Sequence, residues 1–144
     1  MTVQSAAAPA TTAGRPSRAA RIGIVAGVAV AASVVNGVIA QIALALGADS
    51  SFMPLQPAAY VVLTVVGVLL ALVGWTLVRR SSSRPARLLR VLVPAVLLVS
   101  FVPDLATAPQ MPGASTLGVT ALVLMHITTT AIIVLGFTRT HPVR

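Results

Sequence analysis

The chain has four long apolar runs, and if each run crosses a membrane, all ten arginines lie on the same side of that membrane. They precede the first run, separate the second from the third and follow the fourth, at Arg15, Arg18, Arg21, Arg79, Arg80, Arg84, Arg87, Arg90, Arg139 and Arg144. The two other connections, residues 47–57 and 107–115, contain no basic residue. Basic residues concentrate in the cytoplasmic loops of membrane proteins. The pattern therefore predicts an all-α protein, a bundle of four transmembrane helices with both termini in the cytoplasm.

The composition supports membrane insertion and argues against a nucleic-acid-binding protein. Of the 144 residues, 57% are hydrophobic and only 8% are charged, too few to cover the surface of a soluble domain. The net charge of +8 comes from arginines that flank apolar runs and do not form a patch on a solvated fold. Arginines at a membrane surface attract anionic lipids by about 1 kcal/mol each. We therefore expect the bilayer and its anionic headgroups as partners, and no nucleic acid.

We divide the chain into a membrane domain and two tails. The predicted parts are a disordered cytoplasmic tail at residues 1–20, a membrane domain at 21–138 with spans at about 22–46, 58–78, 88–108 and 117–137, and a cytoplasmic tail at 139–144. The first span is longer than the roughly 20 residues that cross a bilayer. A cleavable signal peptide is the alternative there, because Ala43-Leu44-Ala45 resembles a cleavage site, but the apolar core of such a peptide is shorter.

The third span is the least certain from its composition. Only residues 91–103 separate Arg90 from Asp104, which is about 20 Å of helix against ~30 Å of hydrocarbon. A segment lying on the membrane surface would place Arg139 and Arg144 outside the cell. The charge pattern therefore favours a full crossing, with Asp104 in the apolar zone or in a wet pocket.

Small residues recur at helical spacing in the first two spans. Gly23 and Gly27 begin a four-residue repeat in the first, and Gly67 and Gly74 share a face of the second with Thr64 and Ala71. Such faces let the backbones of neighbouring helices approach closely. We interpret the four glycines as packing positions, within the bundle more readily than between copies of the chain.

Four polar residues in the spans form the candidate intramembrane site: Asp104, His126, Asn36 and Gln41. Counted from the span centres, Asn36 and His126 lie near the midplane, and Gln41 and Asp104 roughly 10 Å towards the outer side. We place Asn36 and Gln41 on one face of the first span. One interpretation is an outward-opening relay or ligand pocket, the default for an intramembrane acid. The other is hydrogen bonding between helices, worth about 0.6 kcal/mol per bond.

Catalytic and metal-binding patterns are sparse. The chain has no cysteine, and one acid with one imidazole in the spans cannot form a carboxylate pair or a His-rich zinc site. No phosphate-binding or dinucleotide-binding glycine loop is present in the sequence. We therefore expect no catalytic residues, no metal and no cofactor. Arg79, Arg80, Arg84, Arg87 and Arg90 are interpreted as topology determinants.

Asn36 in the first span, Pro103-Asp104 in the third and Met125-His126 in the fourth resemble a family of small four-helix integral membrane proteins from actinobacteria, a domain of unknown function. The resemblance covers about residues 21–137. It implies the fold and a membrane location, and it brings no activity, substrate or cofactor. The ten arginines without a single lysine independently indicate a GC-rich bacterial source.

Two functions remain open at this point. The first is a non-enzymatic, multi-pass protein of the plasma membrane that acts through helix contacts, as an accessory subunit or a homo-oligomer. The alternative is a small proton- or cation-linked transporter, or a lipophilic-ligand pocket, that uses Asp104 and His126. A distance below ~5 Å between these two side chains would favour a coupled site, because charges at that range perturb each other.

Overall fold

The structure, a computed structural model, describes residues 17–140 and contains four long α-helices within that range. They are α1 (Arg18–Ala45), α2 (Pro57–Ser81), α3 (Pro85–Ala106) and α4 (Thr116–Thr140). All four are long and apolar enough to cross a membrane. The prediction of an all-α fold with four long apolar helices is confirmed. The predicted tails at residues 1–16 and 141–144 lie outside the described residues.

Local signals in the sequence explain where the helices begin. The hydroxyl of Ser17 accepts a hydrogen bond from the backbone N–H of Ala20 and caps α1. Residues 18–20, which we expected to belong to the tail, are therefore the first turn of α1. Helices α2 and α3 begin at Pro57 and Pro85, where proline loses no helical hydrogen bond and its φ suits the first turn.

The two ends of the bundle differ in how the helices are connected. We call the end where α2 and α4 finish the arginine end; there residues 82–84 join α2 to α3. At the opposite end, the loop end, residues 46–56 and 107–115 each contain a short 3₁₀ turn. Phe52 of the first connection is fully buried and packs against α4 at Gly118. The loop end is therefore a folded cap on the bundle.

The helices do not pack equally around the bundle. Helix α1 has its most extensive contacts with α4 and then with α2, whereas α3 packs mainly on α4 and only slightly on α2. The spatial order is α2, α1, α4, α3, so α2 and α3 face each other across a gap. Helix α3 is the least buried helix, and Leu89 and Asp104 are its only fully buried residues.

Two apolar clusters fill the bundle. The loop-end cluster comprises Ala40, Ala43, Ala48, Phe52, Leu55, Ala108, Ala121, Leu122 and Met125. The arginine-end cluster comprises Val28, Val68, Trp75, Leu89, Ile133 and Phe137. In the second cluster the ring of Trp75 packs edge-on against Phe137, with 5.8 Å between the ring centroids. The two clusters hold opposite ends of the bundle and leave a separate layer between them.

The glycines that allow close packing are not the four that we expected. A Cβ built on Gly23, Gly27, Gly67 or Gly74 would meet no neighbouring atom within 4 Å. Within the helices, the close approaches are made by three other glycines: Gly37 against Tyr60, Gly118 against Phe52 and Gly136 against Val28. Residue spacing shows which side chains share a helix face, but the rotation of each helix about its axis decides which face meets a neighbour.

Candidate functional site

Asp104 and His126 are in direct contact across the interface between α3 and α4. Nδ1 of His126 lies 2.8 Å from Oδ2 of Asp104 and 3.1 Å from the backbone carbonyl oxygen of Leu122. The side chain of Asp104 is 11% exposed, whereas that of His126 is 38% exposed. The ring of Phe101, one turn before Asp104, packs edge-on against the imidazole. The imidazole is therefore fixed on one side and open on the other.

The contacts of His126 are compatible with a hydrogen on Nδ1. A backbone carbonyl only accepts hydrogen bonds, so a hydrogen bond from His126 to the Leu122 carbonyl uses a hydrogen on Nδ1. Oδ2 of Asp104 is close to Nδ1, but no donor among residues 17–140 completes a hydrogen bond to it. The contact is an ion pair when the imidazole is protonated. In either protonation state, Nε2 is left for a group outside the pair.

The pair lies deeper in the bundle than the sequence suggested for Asp104. His126 is ten residues into α4 from Thr116, about 15 Å from the loop end of that helix. Asp104 lies at the same level, although α3 ends only two residues later at Ala106. Our estimate assumed that neighbouring spans end at one height. In the structure α3 ends farther from the loop end than the point where α4 begins. Residues 107–115 span the distance between these two helix ends.

A hydrogen-bonded polar group lies beside this pair, between the two apolar clusters. The side-chain amide of Asn36 donates to the hydroxyls of Thr64, at 2.8 Å, and Thr129, at 3.0 Å. Asn36 and Thr64 are both buried, and Thr129 is three residues beyond His126 on α4. These hydrogen bonds tie α1, α2 and α4 together at the level of the Asp104–His126 pair. We call Asn36, Thr64, Thr129, Asp104 and His126 the polar layer.

Gln41 does not belong to the polar layer. It is exposed and borders a shallow groove between α1 and α2, together with Gly37 and Tyr60. Our placement of Asn36 and Gln41 on one face is wrong. Five residues at 3.6 per turn rotate a side chain by about 140°, so the two amides point in different directions.

A cleft of about 600 Å³ occupies the gap between α2 and α3, with α4 at its base. Its polar lining is Asn36, Tyr60, Thr64, Ser100, Asp104, Thr107, His126, Thr129 and Thr130, and most of the remaining wall is Leu, Val, Gly and Met. Gly67 and Gly74, which we expected to pack against another helix, line this cleft. Because glycine has no side chain, these two positions widen the cleft between α2 and α3.

The cleft offers hydrogen-bonding groups to a ligand but not the ligands for a metal ion. Within residues 17–140, no three His, Cys, Asp or Glu side chains are grouped closely enough to bind a metal. The hydroxyl of Ser100 donates to the carbonyl of Leu97 at 2.7 Å. A bound molecule can contact the Asp104 carboxylate and Nε2 of His126, and the hydroxyls of Tyr60, Thr107 and Thr130 also line the cleft. This set can bind a polar head attached to an apolar body.

The other acid of the chain is far from the polar layer. Asp49 lies in the loop-end connection, and its carboxylate accepts a hydrogen bond from the N–H of Ser51 at 2.7 Å. This hydrogen bond holds the pKa of the exposed Asp49 carboxyl below its ordinary value. With Asp49 and Asp104 placed, no acidic side chain of the sequence remains for the five arginines of residues 79–90.

Sequence reasoning missed the roles of Thr64 and Thr129. The signal for Thr64 was its place among the small residues of α2, which we interpreted as a packing face. The signal for Thr129 was its position three residues after His126 on the same helix face, but a threonine in a membrane helix can also satisfy its hydroxyl on a carbonyl of the preceding turn. Neighbouring Thr128 does so, with bonds to the carbonyls of Leu124 and Met125.

The chain belongs to a family of unknown function, DUF6069, whose sequence profile matches residues 12–143. No curated protein and no solved structure matches the chain. The family membership covers nearly the whole chain, including all four helices and the polar layer, and it assigns no activity to them.

Proposed function

We propose that this protein is a non-enzymatic, multi-pass protein of the bacterial plasma membrane that binds a lipophilic molecule of the bilayer. The binding site is the cleft between α2 and α3. The observation that carries the proposal is the contact between Asp104 and His126 in the wall of an otherwise apolar cleft. Sites for small molecules have volumes of roughly 300–1,000 Å³ and a few convergent polar groups, and this cleft has both properties.

The energetics favour a ligand site over a purely structural role for Asp104. An acid within a membrane helix costs about 2.5–3.5 kcal/mol on insertion scales. A hydrogen bond between membrane helices returns about 0.6 kcal/mol. The partner of Oδ2 within the described residues is Nδ1 of His126 at 2.8 Å, a salt bridge only when the imidazole is protonated, and no hydrogen bond to Oδ2 is completed. A carboxylate whose insertion cost exceeds the return from this one contact is better explained by binding.

The proposal includes the orientation and surroundings of the bundle. The arginine end faces the cytoplasm, where Arg79, Arg80, Arg84, Arg87 and Arg90 contact anionic headgroups and determine topology. Helix α1 is not cleaved as a signal peptide in this proposal, because Ala40 and Ala43 belong to the loop-end cluster. The absence of lysine beside ten arginines supports a GC-rich, actinobacterial source.

Trp75 provides a direct test of binding. It is the single tryptophan of the chain and it lines the cleft, so a brominated ligand in the cleft quenches its fluorescence. We expect saturable quenching by bromododecanol in nanodiscs of phosphatidylcholine. Gly67→Phe should abolish saturation, because Gly67 lines the cleft and has open space beside it.

The matched control is Val99→Phe, which adds bulk to α3 at an exposed position outside the cleft. This variant should bind bromododecanol like the wild type. Quenching that never saturates in the wild type, or that is equal in the wild type and Gly67→Phe, would refute binding in the cleft.

A second candidate function is association with another copy of the chain or with a partner membrane protein. The observation that favours it is the exposed face of α1 at Gly23, Gly27 and Ala31, where the two glycines have open space beside them. Such faces allow close contact between helices. Gly27→Leu should then reduce the mass of the assembly in mild detergent, measured by light scattering with wild type as reference. An unchanged mass would exclude this face.

A further inference from the structure

We infer that the ligand of the cleft is a lipophilic amine in its protonated form, whose ammonium group binds the carboxylate of Asp104. This inference rests on the proposed function and specifies the chemistry of the ligand. It follows from the unsatisfied carboxylate, from the distribution of charge along the bundle and from the shape of the cleft.

The carboxylate of Asp104 needs a hydrogen-bond donor that the described chain does not supply. Asp104 is 8% exposed, its Oδ2 receives no hydrogen bond from residues 17–140, and Nδ1 of His126 meets hydrogen-bond geometry with the Leu122 carbonyl instead. An ammonium group has three N–H donors and no acceptor. Hydrogen bonds from a cation to a carboxylate are roughly twice as strong as neutral ones. Beside a neutral His126, a protonated amine therefore supplies both a hydrogen-bond donor for Oδ2 and the counter-charge of the carboxylate.

The ammonium group and a protonated His126 are alternative counter-ions for the same carboxylate. With a neutral imidazole, the pair carries one negative charge in apolar surroundings, where charge interactions are stronger than in water. A cation bound beside Asp104 neutralises this charge without protonating His126. An anionic head in the same place would face like charge at short range. The pair therefore binds a cationic head group more tightly than a neutral one, and a neutral head group more tightly than an anionic one.

The distribution of charge along the bundle separates this site from the arginines. Arg90 is 14 residues before Asp104 on α3, about 21 Å along the helix. Both acids lie towards the loop end, and the arginines of residues 79–90 lie at the arginine end. Lipophilic cations are therefore attracted to the loop-end half of the bundle, and anionic lipids to the arginine end.

The cleft also accommodates a long apolar body below the ammonium group. Its lining continues from Asp104 to Leu89 on α3, about 22 Å along the helix, and to Trp75 on α2. The facing wall of α2 is flattened by Gly67 and Gly74. An extended alkyl chain fits this slot, and its end reaches the level of Trp75.

Amphiphiles with one tail and different heads test the inference. Dodecylammonium, dodecyltrimethylammonium, dodecanol and dodecanoate compete with bromododecanol for wild-type protein in phosphatidylcholine nanodiscs, followed by recovery of Trp75 fluorescence. We expect dodecylammonium to bind at least about tenfold more tightly than dodecanol. Dodecyltrimethylammonium should be intermediate, because it has the charge without an N–H donor, and dodecanoate weakest.

A pair of matched variants separates Asp104 from general effects of charge. Asp104→Asn should remove the preference for dodecylammonium and retain the affinity for dodecanol. Asp49→Asn removes the only other acid of the chain, which lies outside the cleft, and should retain the full preference. The comparison of heads on the wild type needs no variant, so it decides the question even if Asp104→Asn fails to fold.

The outcomes separate the inference from the proposed function. Equal affinities for the four heads, or a preference for dodecylammonium that survives in Asp104→Asn, would refute the inference that the ligand is an amine. The proposal that the cleft binds lipophilic molecules would still stand. If none of the four displaces bromododecanol and bromododecanol itself does not saturate, the proposed function fails as well.

Discussion

Replacing Asn36 by leucine should destabilise the bundle by a small and calculable amount. The side-chain amide of Asn36 donates two hydrogen bonds, to Thr64 and Thr129, and thereby joins three helices. Leucine has a similar size and removes both donors. At about 0.6 kcal/mol for each hydrogen bond between membrane helices, the expected loss is about 1.2 kcal/mol, nearly tenfold in the unfolding equilibrium.

Two physical arguments keep this loss small. The helices stay in an apolar environment when the tertiary contacts break, and polar groups find other partners there. In Asn36→Leu the hydroxyls of Thr64 and Thr129 lose a donor, but each keeps its own O–H, which can donate to a carbonyl of the preceding turn. Thr128, which also donates to Oδ1 of Asn36, keeps its hydrogen bonds to the carbonyls of Leu124 and Met125. No buried group is therefore left without a hydrogen bond, which would cost a further 1–3 kcal/mol.

The measurement is reversible unfolding in mixed micelles of mild detergent and dodecyl sulfate, followed by the fluorescence of the buried Trp75. Gln41→Leu is the matched control, because it makes the same chemical change at an exposed position of α1. Its free energy of unfolding should change by less than ~0.5 kcal/mol. A loss above about 3.4 kcal/mol in Asn36→Leu, twice the largest measured bond of this kind, would refute the additive reasoning. So would a loss no larger than that of Gln41→Leu.

The remaining predictions concern glycine packing, topology and the second acid. Gly136→Ala should lower the free energy of unfolding by about 1–3 kcal/mol, because its new methyl group overlaps Val28, whereas Gly27→Ala, with open space beside it, should change it by less than ~0.5 kcal/mol. In intact cells of the Asp49→Cys and Ser82→Cys variants, an impermeant thiol reagent should label only the first, and labelling of the second alone would reverse our orientation. An NMR titration should give the carboxyl of Asp49 a pKa below its ordinary value of about 3.9, because a backbone N–H donates to the ionised form; an unshifted value would show that this turn does not persist in solution.

The candidate site was only partly predictable from the sequence. Asp104 and His126 stood out because a charged or imidazole side chain in an apolar span is costly. Their contact was not predictable, because it depends on the position of α3 along the axis of α4. We had assumed that neighbouring spans end at the same height, and this assumption placed Asp104 too close to the loop end of the bundle. Gln41 was grouped with Asn36 through an error in helical rotation, not through any lack of information in the sequence.

The sequence by itself determined the four helices, because each forms from hydrogen bonds within one segment whose length and apolar composition can be counted. The tertiary structure alone decided which faces meet. Gly136 packs against Val28 while Gly67 lines an open cleft, although both are glycines in apolar helices. In a membrane, apolar side chains contact lipid as favourably as one another, so composition gives no preference for one face. The rotation and sliding of each helix therefore depend on the fit of all four surfaces, and that fit leaves α2 and α3 apart around Asp104 and His126.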